Sequence, residues 1–350
     1  VNLAKQLEKA GAHIIGIKDM AGVCKPRAIT ALVKALKEEV GVPLHFHTHD
    51  TSGIAAASVL AAVEAGCDAV DGALDALSCL TSQPNLGSIA AALKGSERDP
   101  GIDLGKLQSL SHYWEGVRHA YAPFEPEIRS GTSDVYNHEM PGGQYTNLRE
   151  QARAMGLEHR WPEISKAYAE VNRLFGDIVK VTPTSKVVGD MAIFMVANDL
   201  KPEDVTNPEK DISFPESVIS LFKGELGFPP EGFPKALEAK VLKGEKPLAG
   251  RAGDFMAPVD LEARRKELEH AIGRHPTDTD FASFLMYPKV FRDYAEHRRE
   301  FGDVSLLPTS PFFYGLQDRE EIAIDIDKGK TLVVRQTGRS EAVDEEGKIK

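Results

Sequence analysis

Residues 44–50 read Leu44-His45-Phe46-His47-Thr48-His49-Asp50. In an extended strand successive side chains alternate between faces, so His45, His47 and His49 point one way while Phe46 and Thr48 point the other. Upstream, Gly16-Ile17-Lys18-Asp19-Met20 reads as a second strand with a polar end. Two neutral imidazoles separated by one residue can converge on a divalent transition metal, because imidazole nitrogen suits Zn, Mn, Co or Fe better than Mg or Ca. The same side chains can instead be strand-end polar groups hydrogen-bonded to Asp19 or Asp50.

Working outward, strands and helices alternate. Residues 12–18 are rich in β-formers, and 25–40 read as a helix with Pro26 in its first turn and Gly41 at its end. Residues 43–49 form the next strand. Thr51 or Ser52 is expected to cap the helix that runs through Ala65 to Gly66; 68–74 is a third strand, and another helix begins within 88–93. Alternation at about 30-residue spacing implies parallel strands covered by helices, with function collecting at the carboxyl ends of the strands. Lys18, His47, His49 and Asp71 or Asp75 fall at or near such ends. Three strands are too few to close a barrel. Residues 1–11 read as an amphipathic helix, apolar at Leu3, Leu7 and Ala10, with no lead-in strand; the chain is expected to start inside a domain.

At 350 residues, 42% hydrophobic and 27% charged, the chain can bury a sizeable core in one large or two medium domains. A net charge of -11 argues against nucleic acid as a partner. No apolar run approaches the roughly 20 residues of a membrane span, so no membrane partner is expected, and no signal peptide is read. Cys24, Cys67 and Cys79 form neither a CxxC nor an even set, which suits small buried thiols in a reducing compartment.

Residues 100–199 show helical periodicity; in Leu104, Leu107, Leu110, Trp114 and Val117 it makes an apolar stripe expected to be core. Pro- and Gly-rich punctuation at 227–234 and 246–253 marks loops. Residues 259–273, with charges of both signs, read as a solvated helix. Ile322, Ile324 and Ile326 alternate before Asp327-Lys-Gly-Lys330 and Leu332-Val-Val, the pattern of a hairpin.

Five ordered motifs carry a family resemblance: Gly16-Ile-Lys-Asp-Met-Ala-Gly22, His45-Phe-His-Thr-His-Asp-Thr-Ser-Gly53, Thr81-Ser-Gln-Pro-Asn-Leu-Gly-Ser88, His138-Glu-Met-Pro-Gly-Gly-Gln-Tyr-Thr-Asn-Leu148 and Val181-Thr-Pro-Thr-Ser-Lys-Val-Val-Gly-Asp190. Together they resemble the carboxyltransferase region of the pyruvate carboxylase family, and the likeness continues through Lys223-Gly-Glu-Leu-Gly227 and Gly302-Asp-Val-Ser-Leu-Leu-Pro308. The resemblance implies an α/β fold: the last three βα units of a TIM-type (β/α)8 barrel over 1–99, a mainly helical funnel over 100–310, and over 311–350 the incomplete start of a small mixed α/β domain for allostery and tetramerisation.

It also implies a site. The lysine matching Lys18 reacts with CO2 to form a carbamate, which turns a cation without a lone pair into an oxygen ligand. With His47 and His49 it would hold a divalent metal (Zn, Mn or Co), and a fourth ligand, an aspartate, lies on a barrel strand outside this sequence. His45 has no ligand counterpart and is read as supporting. A salt bridge to Asp19 is the alternative for Lys18. The threonine matching Thr182 relays a proton between pyruvate and biotin; capping the next helix is its alternative role, which suits Thr184 better. Gln144, Ser185 and Lys186 match residues around the biotin ring, to which an amide, a hydroxyl and an ammonium are apt partners.

The implied reaction moves carboxyl from carboxybiotin to pyruvate, giving oxaloacetate. Biotin would arrive on a carrier domain of the same or a neighbouring subunit in a homotetramer. ATP and Mg would serve a separate biotin carboxylase domain, and acetyl-CoA is a candidate activator. The expected location is the cytoplasm, or the mitochondrial matrix in a eukaryote. A biotin-dependent oxaloacetate decarboxylase or transcarboxylase subunit shares the metal motif, and a catalytically silent fragment acting only in assembly is the alternative of another class.

Overall fold

Three strands, β1 (Ile15–Asp19), β2 (Leu44–Thr48) and β3 (Ala69–Val70), form a parallel sheet in that spatial order. The computed structural model describes residues 1–338. Its two compact units are Val1–Phe255 and Met256–Lys350. Of the C-terminal part expected over 311–350, residues 339–350 lie outside the described residues.

The first unit opens with α1 (Asn2–Lys9), α2 (Pro26–Lys37), α3 (Ala55–Glu64) and α4 (Leu86–Leu93) around the sheet. Leu44 and Phe46 of β2 are fully buried among Ile29 and Val33 of α2 and Val59 of α3. This apolar face fixes the register of β2, because a one-residue slip would bury the histidines in place of Leu44 and Phe46. Gly16 pairs with His45 and Lys18 with His47, so Lys18 lies on the histidine face.

Several local expectations are corrected. Neither Thr51 nor Ser52 caps α3: its N-cap position is Ile54, without a capping side chain, and Asp50 Oδ1 accepts the Ala55 amide at 2.9 Å, while the Thr51 and Ser52 hydroxyls are buried without partners among the described residues. The third strand is only two residues long, because beyond Val70 the chain bonds to 84–86: Ala73 N–H to the Pro84 carbonyl at 3.0 Å and Leu86 N–H to the Ala73 carbonyl at 2.9 Å. Helix α1 buries Ala4 and leaves Leu3 and Leu7 exposed. Among the three free cysteines Cys24 is half-buried, Cys67 buried and Cys79 exposed; burial, with Asp19 nearby, pushes the Cys24 thiol up to about 11.

Next come α5 (Leu104–Ala120), α6 (Val135–His138), α7 (Gly142–Ala154), α8 (Trp161–Leu174), α9 (Thr184–Ala197), α10 (Pro202–Thr206), α11 (Glu216–Lys223) and α12 (Lys235–Leu242). The α5 stripe is not core: Leu110 and Trp114 are exposed, and Trp114 and Val117 face a cleft of about 380 Å³ beside residues 77–82. The core here is instead made by α7, α8, α9 and α11 around Tyr168, Phe175, Met191 and Phe222, all fully buried, with the Phe175 and Phe222 rings edge to face at 5.2 Å.

The second unit holds α13 (Leu261–Ile272), α14 (Asp278–Met286), α15 (Pro288–Phe301), α16 (Thr309–Tyr314) and the antiparallel hairpin β4 (Glu321–Asp327) and β5 (Lys330–Arg335). The expected solvated helix is α13, whose only buried residue is Leu268. The hairpin turns at Gly329, whose φ of +75° is a conformation that glycine adopts without strain.

Candidate metal centre

The histidine face of β2 stands at the carboxyl end of the sheet, and hydrogen bonds set each ring. His47 Nδ1 lies 2.7 Å from Asp71 Oδ2, and His49 Nδ1 lies 2.7 Å from the Thr81 carbonyl oxygen. Both partners are pure acceptors, so each Nδ1 carries the proton. Burial holds the His49 imidazole below the usual histidine range and keeps it neutral, with its lone pair on Nε2. His47 Nε2 is 3.3 Å from that nitrogen. Two ring nitrogens face each other at this distance around a shared cation, a proton or a metal ion. A metal with N ligands at about 2.0–2.1 Å and near-tetrahedral angles separates them by about 3.3 Å, so the donor pair fits a divalent transition metal.

His45 Nε2 lies 2.7 Å from Asp71 Oδ1, so one carboxylate holds both His45 and His47. Burial alone would raise the Asp71 pKa; hydrogen bonds from His47 and His45 outweigh it and keep the carboxylate ionised. His45 thus shares the face of His47 and spends its Nε2 on Asp71. Neither Asp19 nor Asp50 holds the rings: Asp50 accepts the Ala55 amide at the start of α3, and Asp19 accepts from the Val23 and Cys24 amides and the Thr48 hydroxyl on the opposite side of β1. Strand alternation puts Lys18 and Asp19 on different faces, and among the described residues Lys18 has no ion pair. No group of three His, Cys, Asp or Glu side chains is assembled for a metal among the described residues. The strand register places Lys18 beside His47 on this same face.

The start of α7 closes over this site. A Cβ on Gly142 would stand 2.6 Å from the Thr81 carbonyl oxygen and 2.7 Å from His49 Nδ1, so only glycine fits there. Two residues on, Gln144 is buried against Gly189 of α9, where a Cβ would overlap the Gln144 amide nitrogen. Gln144 thus meets the helix that carries Ser185 and Lys186. Ser185 is buried, its carbonyl accepting from the Tyr168 hydroxyl at 3.4 Å; Lys186 is exposed, its Nζ 2.7 Å from Asp190 Oδ2. Thr182 is exposed, and its hydroxyl makes no hydrogen bond among the described residues. The local turn is tied instead by Thr184, whose Oγ1 accepts the Val181 amide at 3.2 Å and donates to the Val179 carbonyl at 2.6 Å. An ion pair of 3.0 Å between Lys180 and Glu139 anchors this turn to the segment leading into α7.

Sequence reasoning gave no role to Thr81 or Thr146; for Gly142 and Gly143 it allowed a tight backbone approach or a positive φ, and the structure shows His49 and Thr81 as what Gly142 approaches. A backbone carbonyl acceptor leaves no side-chain signature.

His138, just ahead of α7, is buried with its Nδ1 accepting the Met140 amide at 3.0 Å and its Nε2–H unpartnered among the described residues. Burial lowers its pKa to about 4. From an unfolded value near 6.5, the unfolded chain takes up a proton that the native ring refuses as pH falls from about 6.5 to 4, so this residue removes up to about 3 kcal/mol of stability across that window. In urea titrations at pH 7 and pH 4.5 the loss is expected to be smaller for His138→Asn, which keeps an acceptor for Met140. Equal losses in the two proteins would refute the assignment.

The HMGL-like model matches residues 1–113, the part of the chain that holds the parallel βα sheet and its imidazoles. A second model, described as a conserved carboxylase domain, matches residues 135–335. The chain belongs to this conserved carboxylase domain family. It is 47% identical over 334 residues to the pyruvate carboxylase of Bacillus subtilis (strain 168) and 48% over 347 residues to that of Staphylococcus aureus (strain Mu50 / ATCC 700699), covering 95% and 99% of this chain but 29% and 30% of those proteins. The solved carboxyl transferase domain of Rhizobium etli pyruvate carboxylase with pyruvate and biocytin superposes with a TM-score of 0.94 at 60% identity, over 99% of this chain and 58% of that one. The chain therefore spans about 30% of the length of these curated relatives. Among the described residues no helix is long and apolar enough to cross a membrane.

Proposed function

We propose that this chain is the carboxyltransferase part of a biotin-dependent pyruvate carboxylase, moving carboxyl from carboxybiotin to pyruvate to give oxaloacetate. The observation that carries the reading is the facing pair of Nε2 atoms on His47 and His49, each aimed by a hydrogen bond at its other nitrogen. With Lys18 as a carbamate they would hold Zn, Mn or Co. Such a metal, when bound, supplies Lewis-acid polarisation of the ketone oxygen, which makes the methyl protons of pyruvate acidic.

The remaining chemistry belongs to the chain's own side chains. Thr182, exposed and free of local bonds, takes up the methyl proton at its oxygen while its own proton passes to the biotin nitrogen released from carboxyl, so the hydroxyl stays neutral. Gln144, Ser185 and Lys186 line the place of the biotin ring on α7 and α9. The barrel segment is 1–99, the funnel 100–310, and 311–350 begins the allosteric and tetramerisation domain. The carrier domain of the same or a neighbouring subunit delivers biotin within a homotetramer; ATP and Mg act at a biotin carboxylase domain, and acetyl-CoA activates. The cytoplasm, or the mitochondrial matrix in a eukaryote, is its place.

The test is substrate conversion by the intact enzyme containing this segment. Oxaloacetate formation from pyruvate, bicarbonate and ATP, independent of sodium, is expected. Sodium-coupled decarboxylation of oxaloacetate without pyruvate carboxylation would instead assign it to the decarboxylases.

A further inference from the structure

His49 is aimed by a carbonyl in an irregular loop. Cys79 and Leu80, just before Thr81, have φ of +67° and +53°, a region that residues with a Cβ seldom occupy unless the surroundings hold them there. Backbone bonds close the loop at Cys79–Gln83 and join Ser82 to Asp50, and a pair of hydroxyls ties Thr81 itself to α7: Thr81 Oγ1 lies 3.0 Å from Thr146 Oγ1, and Thr146 Oγ1 also donates to the Gly142 carbonyl at 3.3 Å. Gly142 in turn donates its N–H to the Met20 carbonyl at 2.9 Å, in the turn after β1. One side chain of α7 thus joins the loop that orients His49 to the helix turn that lies on the His49 ring.

We propose that Thr146 is a positioning residue for the metal centre, holding the Thr81 carbonyl where it fixes the direction of His49 Nε2. The inference rests on the reading of His47 and His49 as metal ligands. Without the Thr146 hydroxyl Thr81 loses its side-chain tie to α7, its carbonyl shifts within the loop that the backbone bonds still close, the Nδ1 hydrogen bond lengthens, and Nε2 swings off the line it shares with His47. Loss of such an outer partner lowers metal affinity by about 10–100-fold.

The intact enzyme loaded with Co²⁺ reports this directly, since the visible bands of Co²⁺ follow the geometry of its ligands. Thr146→Val, which keeps the shape and removes the hydroxyl, is expected to weaken Co²⁺ binding at least about 10-fold and to change the visible spectrum, with the melting temperature little altered. Thr146→Ser, which restores a hydroxyl, is expected to recover both. A Thr146→Val enzyme with parental affinity and spectrum, in a protein whose Co²⁺ is lost on His49→Ala, overturns the proposal. Retention of Co²⁺ by His49→Ala would overturn the metal reading beneath it.

Discussion

Thr182→Ala in the intact enzyme is expected to lower the rate of pyruvate carboxylation by about 10²–10⁴-fold, the usual range for removing a positioned proton-transfer group. Thr182→Ser should retain most of the rate, because what the step needs is a hydroxyl. ATP-dependent carboxylation of biotin should proceed unchanged in both variants. The relay role is the one the family resemblance implies for Thr182, and the bonds of its neighbours leave that residue available for it. Thr184 is spent on the turn around Val179–Val181, Lys186 is paired with Asp190, and Ser185 is buried, whereas the Thr182 hydroxyl is exposed with no local partner. An exposed side chain without bonds has little part in folding, so a stability change beyond about 0.5 kcal/mol is not expected. Full pyruvate carboxylation by the alanine variant would leave the relay without its group.

The second large effect lies in the proposed metal site and is graded. His47→Ala and His49→Ala are each expected to lower metal affinity by more than about 100-fold and to abolish carboxyl transfer, whereas His45→Ala, which acts only by sharing Asp71 with His47, should cost about 10-fold, as loss of outer-shell partners does. Lys18→Gln should behave like the two ligands, since an amide side chain cannot take up CO2. Metal content after dialysis against a chelator measures the series. Equal losses for His45→Ala and His49→Ala would show that the three histidines act alike and that the facing Nε2 pair has no special place.

Much of this was legible in the linear chain. The alternation of β2 set Leu44 and Phe46 against His45, His47 and His49, and the structure buries the first pair and leaves the second set facing the site. Pro26 at the first turn of α2, and the hairpin around Gly329, followed from backbone chemistry that acts over a few residues. Where the reading failed, the outcome depended on what lay opposite. The α5 stripe has the spacing of a core face, yet periodicity cannot say whether another surface covers it, and Leu110 and Trp114 stay exposed. At the start of α3 neither expected hydroxyl caps the helix; Ile54 takes the N-cap position and the more distant Asp50 carboxylate accepts the Ala55 amide.

The amino-acid order therefore determined which residues share a strand face, because that periodicity is a property of the backbone. It could not determine the 3.3 Å approach of two ring nitrogens, the tautomer each ring takes, or the glycine at 142 that allows a helix to lie on His49. Those depend on Asp71, Thr81 and α7, which are separated along the chain and meet only when the βα units and the helices above them pack together.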